Sequence, residues 1–286
     1  MRDGRDYRAG RRVGKPGGPE RHNILFFRQF CYTARMFTDV IDLDEFYRSA
    51  LGQVARRTIR RQIRAIWPDV RGMAVLGLGH ATPYLTSFRH EAERVLAIAP
   101  AGQGVIPWPN GGPGQVALSY EWELPLPDLC IDRLLMVHAV ESSEHLRAMM
   151  REAWRVLKGN GRLLIVAPNR ASVWARSERT PFGHGHPYSN GQLRTLLRDS
   201  MFTPGETLRA LHLPPINRRL VVKAAPMLER VGDAVFQTFG GVLLIDATKQ
   251  VYAATPGKTV TRRRFVVLPG GARPAAEGGM RREPAD

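Results

Sequence analysis

The chain has 286 residues and is short of several things. It has two cysteines, Cys31 and Cys130. Two are too few for a disulfide framework, and no Cys-x-x-Cys pair exists to bind a metal, so a reducing, cytoplasmic setting is expected. No stretch approaches ~18–20 consecutive apolar residues, so a membrane-spanning helix is not expected. The segment "NILFFRQFCY" follows a basic stretch, as a secretory leader would. Its apolar run is very short, Arg28 interrupts it and no small-residue cleavage site follows, so export is not expected either. Lysine is scarce: apart from Lys15, Lys158, Lys223, Lys249 and Lys258, the 42 basic residues are all arginine. Zinc-finger and aromatic-basic motifs are also missing, which leaves specific nucleic-acid recognition with little support beyond net charge.

That net charge is +16, and it is unevenly spread. Residues 1–35 carry 9 Lys/Arg against 3 Asp/Glu, and residues 257–286 carry 7 against 3, so ten of the sixteen excess charges lie near the ends. Residues 1–20 and 269–286 are rich in glycine and proline and offer almost nothing apolar to bury, the signature of solvated, disordered segments. Three regions are therefore expected: a basic extension at 1–35, a folded domain at 36–256 and a basic tail at 257–286. Organised sequence begins at Met36, which suggests that residues 1–35 are an upstream extension of the reading frame. A functional basic arm is the alternative.

Hydrophobic content of 43% and charged content of 24% fit one large α/β domain with a sizeable core. Within it, residues 49–67 place Leu51, Val54, Ala55, Ile59, Ile63 and Ile66 at three- and four-residue steps, one apolar stripe of a helix. Arg56, Arg57, Arg60, Arg61 and Arg64 fill the other faces. A membrane-surface helix would look similar, but a helix docked on the domain with solvated arginines requires less. Pro68 ends it. Strand-like runs follow, alternating with helices: "MAVLGL", "RVLAIA", "QVALSY", "IDRLLMVHAV", "GRLLIVAP" and "GVLLIDATKQVYAA". Ser142 or Ser143 is placed to cap a helix over 144–157, with Gly159 as its stop, and Ser189 starts another with Leu193, Leu196 and Leu197 facing inward. Near-continuous Val, Leu and Ile in the strands point to a parallel sheet between helix layers. Ligands of such sheets sit beyond the strands' carboxyl ends.

Residues 124–169, "LPLPDLCIDRLLMVHAVESSEHLRAMMREAWRVLKGNGRLLIVAPN", resemble the second half of a class I S-adenosylmethionine-dependent methyltransferase of the type 11 group. The matching features are Leu124-Pro125-Leu126-Pro127, the strand opening Ile131-Asp132, the strand end His138 to Glu141, and the helix-turn-strand block "REAWRVLKGNGRLLIV". The likeness extends over roughly residues 70–205. It implies a Rossmann-like, seven-stranded, mostly parallel sheet with a C-terminal antiparallel hairpin to which residues 240–254 contribute. It also implies S-adenosylmethionine as cofactor and an acceptor, small molecule or protein, that the sequence does not identify.

The same resemblance assigns residues. Bare backbone after the first strand lets the methionine and ribose approach closely, a carboxylate after the second strand takes the ribose hydroxyls, and a polar residue after the third holds the adenine amino group. In this chain the acidic–x–Gly–x–Gly–x–Gly motif falls on Gly77, Gly79, Ala81 and Pro83, so one of its three glycines, Gly79, survives. The ribose position is Ala99, which has no carboxylate, and the adenine position is Tyr120, with Glu121 beside it. His80 is a candidate to cover the ribose, the alternative being a simple turn residue. Loss of a ribose carboxylate costs roughly 1.5–3 kcal/mol of binding unless something replaces it. His138 lies at the implied rim of the transfer site, and Tyr188 is a further catalytic candidate. Glu141 is read as helix support, and Asp128 and Asp132 as unsuited to acid/base work. His184 and His186 flank Gly185 like a metal pair, but no cysteine or carboxylate lies at ligand spacing, so no metal is expected. Methyl transfer needs positioning more than a strong base, and the sequence favours an enzyme. A catalytically silent methyltransferase-like binding or regulatory module is the alternative, and an RNA- or membrane-surface role for the 56–64 arginines is a third reading.

Overall fold

The computed structural model describes residues 39–216 and 240–251. Asp39 begins the first helix, its Oδ1 accepting from the Ile41 N–H at 2.9 Å, and α1 (Val40–Arg48) follows with Leu43 and Tyr47 buried. Ser49 is extended, which stops α1, and its Oγ accepts from Gly52 N to start α2 (Ala50–Ile66). One residue thus joins two helices, and they pack closely at the join. A Cβ on Gly52 would sit 1.9 Å from the Phe46 carbonyl oxygen.

The stripe read from the sequence of α2 is the buried one: Leu51, Val54, Ala55, Ile59 and Ile63 all face the core. Its arginines divide. Arg57, Arg60 and Arg61 are exposed, whereas Arg64 holds Glu91 with two nitrogens at 2.6 and 2.8 Å, and Arg56 turns toward a cavity described below.

After the helices come β1 (Ala74–Gly79), the short α3 (Thr82–Leu85), β2 (Arg94–Pro100), β3 (Val116–Ser119), β4 (Ile131–Val137), α4 (Leu146–Val156), β5 (Leu157–Pro168), α5 (Asn190–Asp199), β6 (Phe202–Ala210) and β7 (Val242–Lys249). The strands form a single seven-stranded sheet in the order β3-β2-β1-β4-β5-β7-β6. β1 to β5 are parallel, and β7 runs antiparallel between β5 and β6. This is the arrangement the resemblance implies. Strand periodicity sends Val75 to one face of the sheet, with α2, Trp67 and Phe88, and sends Leu76 and Leu78 to the other, with Met149, Met150, Leu193 and Leu197. Both faces are covered, which is why the strands read as unbroken apolar runs. The end of α2 is pinned to the sheet through a buried carboxylate. Asp246 accepts from Trp67 Nε1 at 3.1 Å and is ion-paired with Arg162.

Several local expectations are corrected. The segment after β1, for which the sequence showed no stripe, forms one four-residue helical turn. α4 starts at Leu146 with no side-chain cap, because Ser143 is spent on Glu121. Gly159 does not stop it: α4 ends at Val156 and residue 157 already pairs with Ile131, so Gly159 lies inside β5. β6 carries "FTPGETLRA", whose polar, glycine- and proline-containing sequence gave no strand signal, and β7 supplies its pairing edge. The Ser189 start is as read, with a reciprocal Ser189–Gln192 capping box. The proposed extension at 1–35, the tail at 257–286 and the boundary at 256 lie outside the described residues.

Candidate functional site

β1 ends at Gly79 with φ +82°, and His80 N donates back to Val137 O on β4 at 2.9 Å. The chain is thereby turned out of the sheet at the carboxyl ends of β1 and β2. A cavity of about 400 Å³ opens there. Gly79, His80, Thr82 and Pro83 form one wall, and Ala99, Gln103, Trp108 and Val116 form another. The remaining wall comes from the N-terminal helices: Val40, Asp44, Tyr47 and Arg48 of α1, and Gln53 and Arg56 of α2. The position, at strand ends beside the point where the strand order reverses, is the one where sheets of this kind bind ligands, and the volume is that of a small-molecule site.

Behind this wall runs a buried polar chain. Tyr84 Oη donates to Tyr47 Oη at 2.9 Å, which leaves the Tyr47 proton for His138 Nε2 at 2.8 Å. His138 Nδ1 then meets Glu141 Oε1 at 3.0 Å. With Nε2 accepting from Tyr47, Nδ1 is the ring atom that donates to Glu141. His80 stacks on Tyr47, with ring centroids 5.3 Å apart and planes 18° apart. Phe182 closes the far side against His138 at 5.0 Å. Burial pushes the Tyr47 phenol well above its ordinary range, and Tyr84 and Glu141 add to the push. Burial, with a smaller contribution from His138, lowers His80 to a pKa of about 3. Around this chain and the wall before it, His80 Nε2, Glu141 Oε2 and Arg56 Nε are buried without a hydrogen-bond partner.

The expected site residues separate on this structure. Gly79, His80 and Ala99 line the cavity together. Gly77 and Ala81 do not. A Cβ on Gly77 would sit 2.6 Å from Leu85 Cδ1 and 2.7 Å from Ala81 Cβ, so the pair packs β1 against α3. Gly79 also has a packing role. Its missing Cβ would lie 2.2 Å from Val137 O, so the glycine clears the β1–β4 seam. Tyr120 is exposed and stacks on Trp122 at 4.7 Å. Glu121 is buried, accepts from Ser143 Oγ and holds the loop after β4. Neither lines the cavity. His138 is 3% exposed and meets the cavity wall through its ring at Tyr47 and its carbonyl at Gln103. Tyr188 Oη donates to Val140 O at 3.2 Å.

The lone carboxylates separate too. Asp132 accepts from Ala74 N and Lys158 Nζ, while Asp128 pairs with Arg155. Among the described residues no group of three His, Cys, Asp or Glu could hold a metal ion, and no helix is long and apolar enough to cross a membrane. The residues that sequence reasoning missed, Tyr47, Gln53, Arg56, Gln103 and Trp108, come from α1, α2 and the loop after β2. Only Arg56 carried a signal: it is the arginine of α2 beside the apolar stripe.

Residues 76–165 match the family model described as a methyltransferase domain. That segment is similar to the family, and the seven-stranded sheet around it has the class I methyltransferase fold. No curated protein matches the sequence. A SAM-dependent methyltransferase of Thermotoga maritima is similar in structure at 16% identity and a TM-score of 0.51, over 74% of this chain and 96% of that one. One from Archaeoglobus fulgidus is similar at 18% identity and 0.51, over 68% and 94%. One from Mesorhizobium loti is similar at 16% and 0.50, over 71% and 100%. At these identities the likeness speaks to the methyltransferase fold.

Proposed function

We propose that the cavity beyond β1 and β2 binds S-adenosylmethionine and that the protein transfers its methyl group to an acceptor. The observation that carries this reading is the coincidence of a small-molecule cavity with the strand ends of a methyltransferase domain. The residues present fit the group, though by other means than a ribose carboxylate. Ala99, Trp108 and Val116 are apolar walls for a purine. His80 Nε2 is a buried polar atom with no partner in the protein, and a ligand hydroxyl would give it one. Gln103 is fixed beside it by donating Nε2 to the His138 carbonyl.

When bound, S-adenosylmethionine supplies an electrophilic methyl on a sulfonium. The chain's own part is to bind, orient and exclude water, because an in-line displacement gains mostly from position. It offers no base at the cavity. Tyr47 keeps its proton, His80 stays neutral and is a weak base, and Asp44 is held by Arg48 at 2.8 Å. The acceptor this wall suits is therefore a nucleophile that needs no proton removed before attack, such as a thiolate or a neutral amine, whose methylated ammonium then gives any proton to water. The Tyr47–His138–Glu141 chain holds α1 against the end of β4 and sets one boundary of the cavity.

Calorimetric titration with S-adenosylmethionine and S-adenosylhomocysteine tests the reading. Saturable one-to-one binding is expected, tightened about tenfold by Ala99→Asp through the ribose hydroxyls. Absence of binding at millimolar ligand in both proteins would sink it. A catalytically silent binding module is the second reading, favoured by one observation: Tyr47 and Phe182 fill the space around His138, where the acceptor rim was expected. Binding of S-adenosylhomocysteine with no methyl transfer to any amine or thiol offered would favour it.

A further inference from the structure

The exposed face of α2 is used by neither the fold nor the cavity. The helix has no acidic residue and carries Arg56, Arg57, Arg60, Arg61 and Arg64. Arg56 turns to the cavity and Arg64 holds Glu91. Arg57, Arg60 and Arg61 are exposed, and among the described residues neither Arg57 nor Arg60 has an ion pair. Two acids beside the end of the helix are taken, Glu91 by Arg64 and Asp69 by Arg71. Spacings of three and four residues set 57, 60, 61 and 64 in one row, where like charges repel, so the row costs the helix stability. At 1.5 Å per residue it is about 10 Å long, which is about three phosphates of a stacked strand at about 3.4 Å each. The row leads to the cavity. Gln53 and Arg56 of the same helix line it, and Arg89, exposed over the Trp108 ring at 5.6 Å, adds a further charge at its mouth.

We propose that this row is a docking track for single-stranded RNA, and that the methyl acceptor is a ring nitrogen of an RNA base brought to the cavity mouth. The second half rests on the methyl-transfer reading above; the first does not. Guanidinium groups match phosphate oxygens in bidentate pairs, and a net charge of +16 attracts a polyanion from a distance. An anionic bilayer would meet the same charge, but a helix lying on a membrane buries its apolar face there. The stripe of α2 is already spent on the core, with Ile59 and Ile63 fully buried. Duplex DNA is read by an element that enters a groove, whereas α2 is packed into the core from Leu51 to Ile63. A single strand needs no such element and leaves its bases unpaired. A ring nitrogen without a proton also suits a cavity that offers no proton acceptor. Its lone pair attacks the methyl carbon, the carbon–sulfur bond breaks with its electrons on sulfur, and the ring takes the positive charge that the sulfonium loses. No proton has to leave.

The experiment is fluorescence anisotropy of a labelled single-stranded RNA of about twelve nucleotides, titrated with the full chain across salt concentrations. The wild type is expected to bind, with an affinity that falls as salt rises. Arg57→Gln, Arg60→Gln and Arg61→Gln together should weaken binding about tenfold or more. They should also lower the slope of log affinity against log salt by about 2, three phosphate contacts at about 0.7 each. Arg147→Gln, Arg151→Gln and Arg198→Gln together remove the same charge from exposed positions of α4 and α5, on the opposite side of the sheet. The slope of that control should stay within about 0.5 of wild type. Equal losses in the two triple variants overturn the track, as does an absence of RNA binding by the wild type. Tighter binding of duplex DNA than of the single strand overturns it too, as does an α2 variant that loses phosphatidylglycerol vesicles and keeps RNA. If the triple variant melts early, Arg57→Gln and Arg60→Gln singly replace it, each expected to lower the slope by about 0.7, and no change in either overturns the track. The acceptor is tested with methyl-labelled S-adenosylmethionine and oligomers of adenylate, cytidylate and uridylate. Transfer is expected to the first two, whose N1 and N3 carry lone pairs, and not to the third, whose N3 holds a proton. The α2 triple variant should raise the KM for RNA at nearly constant kcat. Transfer to none of the three, or to uridylate alone, overturns the acceptor. If calorimetry shows no binding of S-adenosylmethionine, the methyl-transfer reading fails by itself, and anisotropy alone decides the track.

Discussion

Gly79→Ala is the sharpest test of how β1 meets the site. Gly79 has φ +82°, where an L side chain costs about 1–2 kcal/mol. The added methyl would also lie 2.2 Å from Val137 O and 3.1 Å from Ala139 Cβ. That carbonyl is the acceptor for His80 N, and Gly79 is paired with Val137 in the parallel register, so β1 cannot shift without opening the seam. Overpacking of this kind adds about 1–3 kcal/mol. The total, about 2–5 kcal/mol, is a large part of an ordinary domain stability of about 5–15 kcal/mol. Gly72 is the internal control. It has φ +68° and nothing within 4 Å of its missing Cβ, so Gly72→Ala should cost the backbone part alone, about 1–2 kcal/mol. Urea denaturation, read as a change of midpoint at constant slope, measures both. The Gly79 variant should be lower by at least about 1 kcal/mol. Equal midpoints for the two variants would refute the clash. If Gly79→Ala then removed ligand binding without loss of stability, the sequence reading of a ligand-facing glycine would be upheld.

Ile59→Asp should destabilise the domain by about 3–5 kcal/mol, because a fully buried position receives an unpaired charge, while exposed Arg60→Glu should stay within about 0.5 kcal/mol of wild type, both by chemical denaturation. Asp246→Ala leaves Trp67 Nε1 without its acceptor and Arg162 without its ion pair, and should cost about 2–4 kcal/mol; a variant as stable as wild type would show that the end of α2 is held by packing alone. His80 gives a pH signature. Its folded pKa of about 3 lies below the ordinary 6.5, so its neutral form favours the fold above pH 6.5 and stability falls with pH between 6.5 and about 3. The slope from this group is up to about 1.4 kcal/mol per pH unit, and denaturation of His80→Phe beside wild type should lack that part. Parallel curves for the two proteins between pH 6.5 and 4.5 would remove His80 as the cause.

What the sequence determined by itself follows from short-range physics. The apolar stripe Leu51–Ile63 could pack only as one helix face, and the runs "MAVLGL", "RVLAIA" and "GRLLIVAP" could be buried only in a sheet covered on both sides. The Ser189 capping box was legible because its partners are three residues apart. The site was legible only in part: Gly79, His80 and Ala99 lie on the cavity wall because strand ends converge in any sheet of this topology. What the tertiary structure alone decided are matters of long-range approach. Which way the missing Cβ of Gly79 points depends on β4, 58 residues further on in the register that pairs Gly79 with Val137. Glu121 spends its carboxylate on Ser143 rather than on a ligand because the loop after β4 folds back to it. Tyr47 and Arg56 join the cavity because the one-residue link at Ser49 sets α1 and α2 over the ends of β1 and β2. Periodicity says which face of a helix is buried. It carries no information about which strand end the polar residues beside that face will meet, since that is settled by contacts between segments whose separation in sequence leaves no local trace.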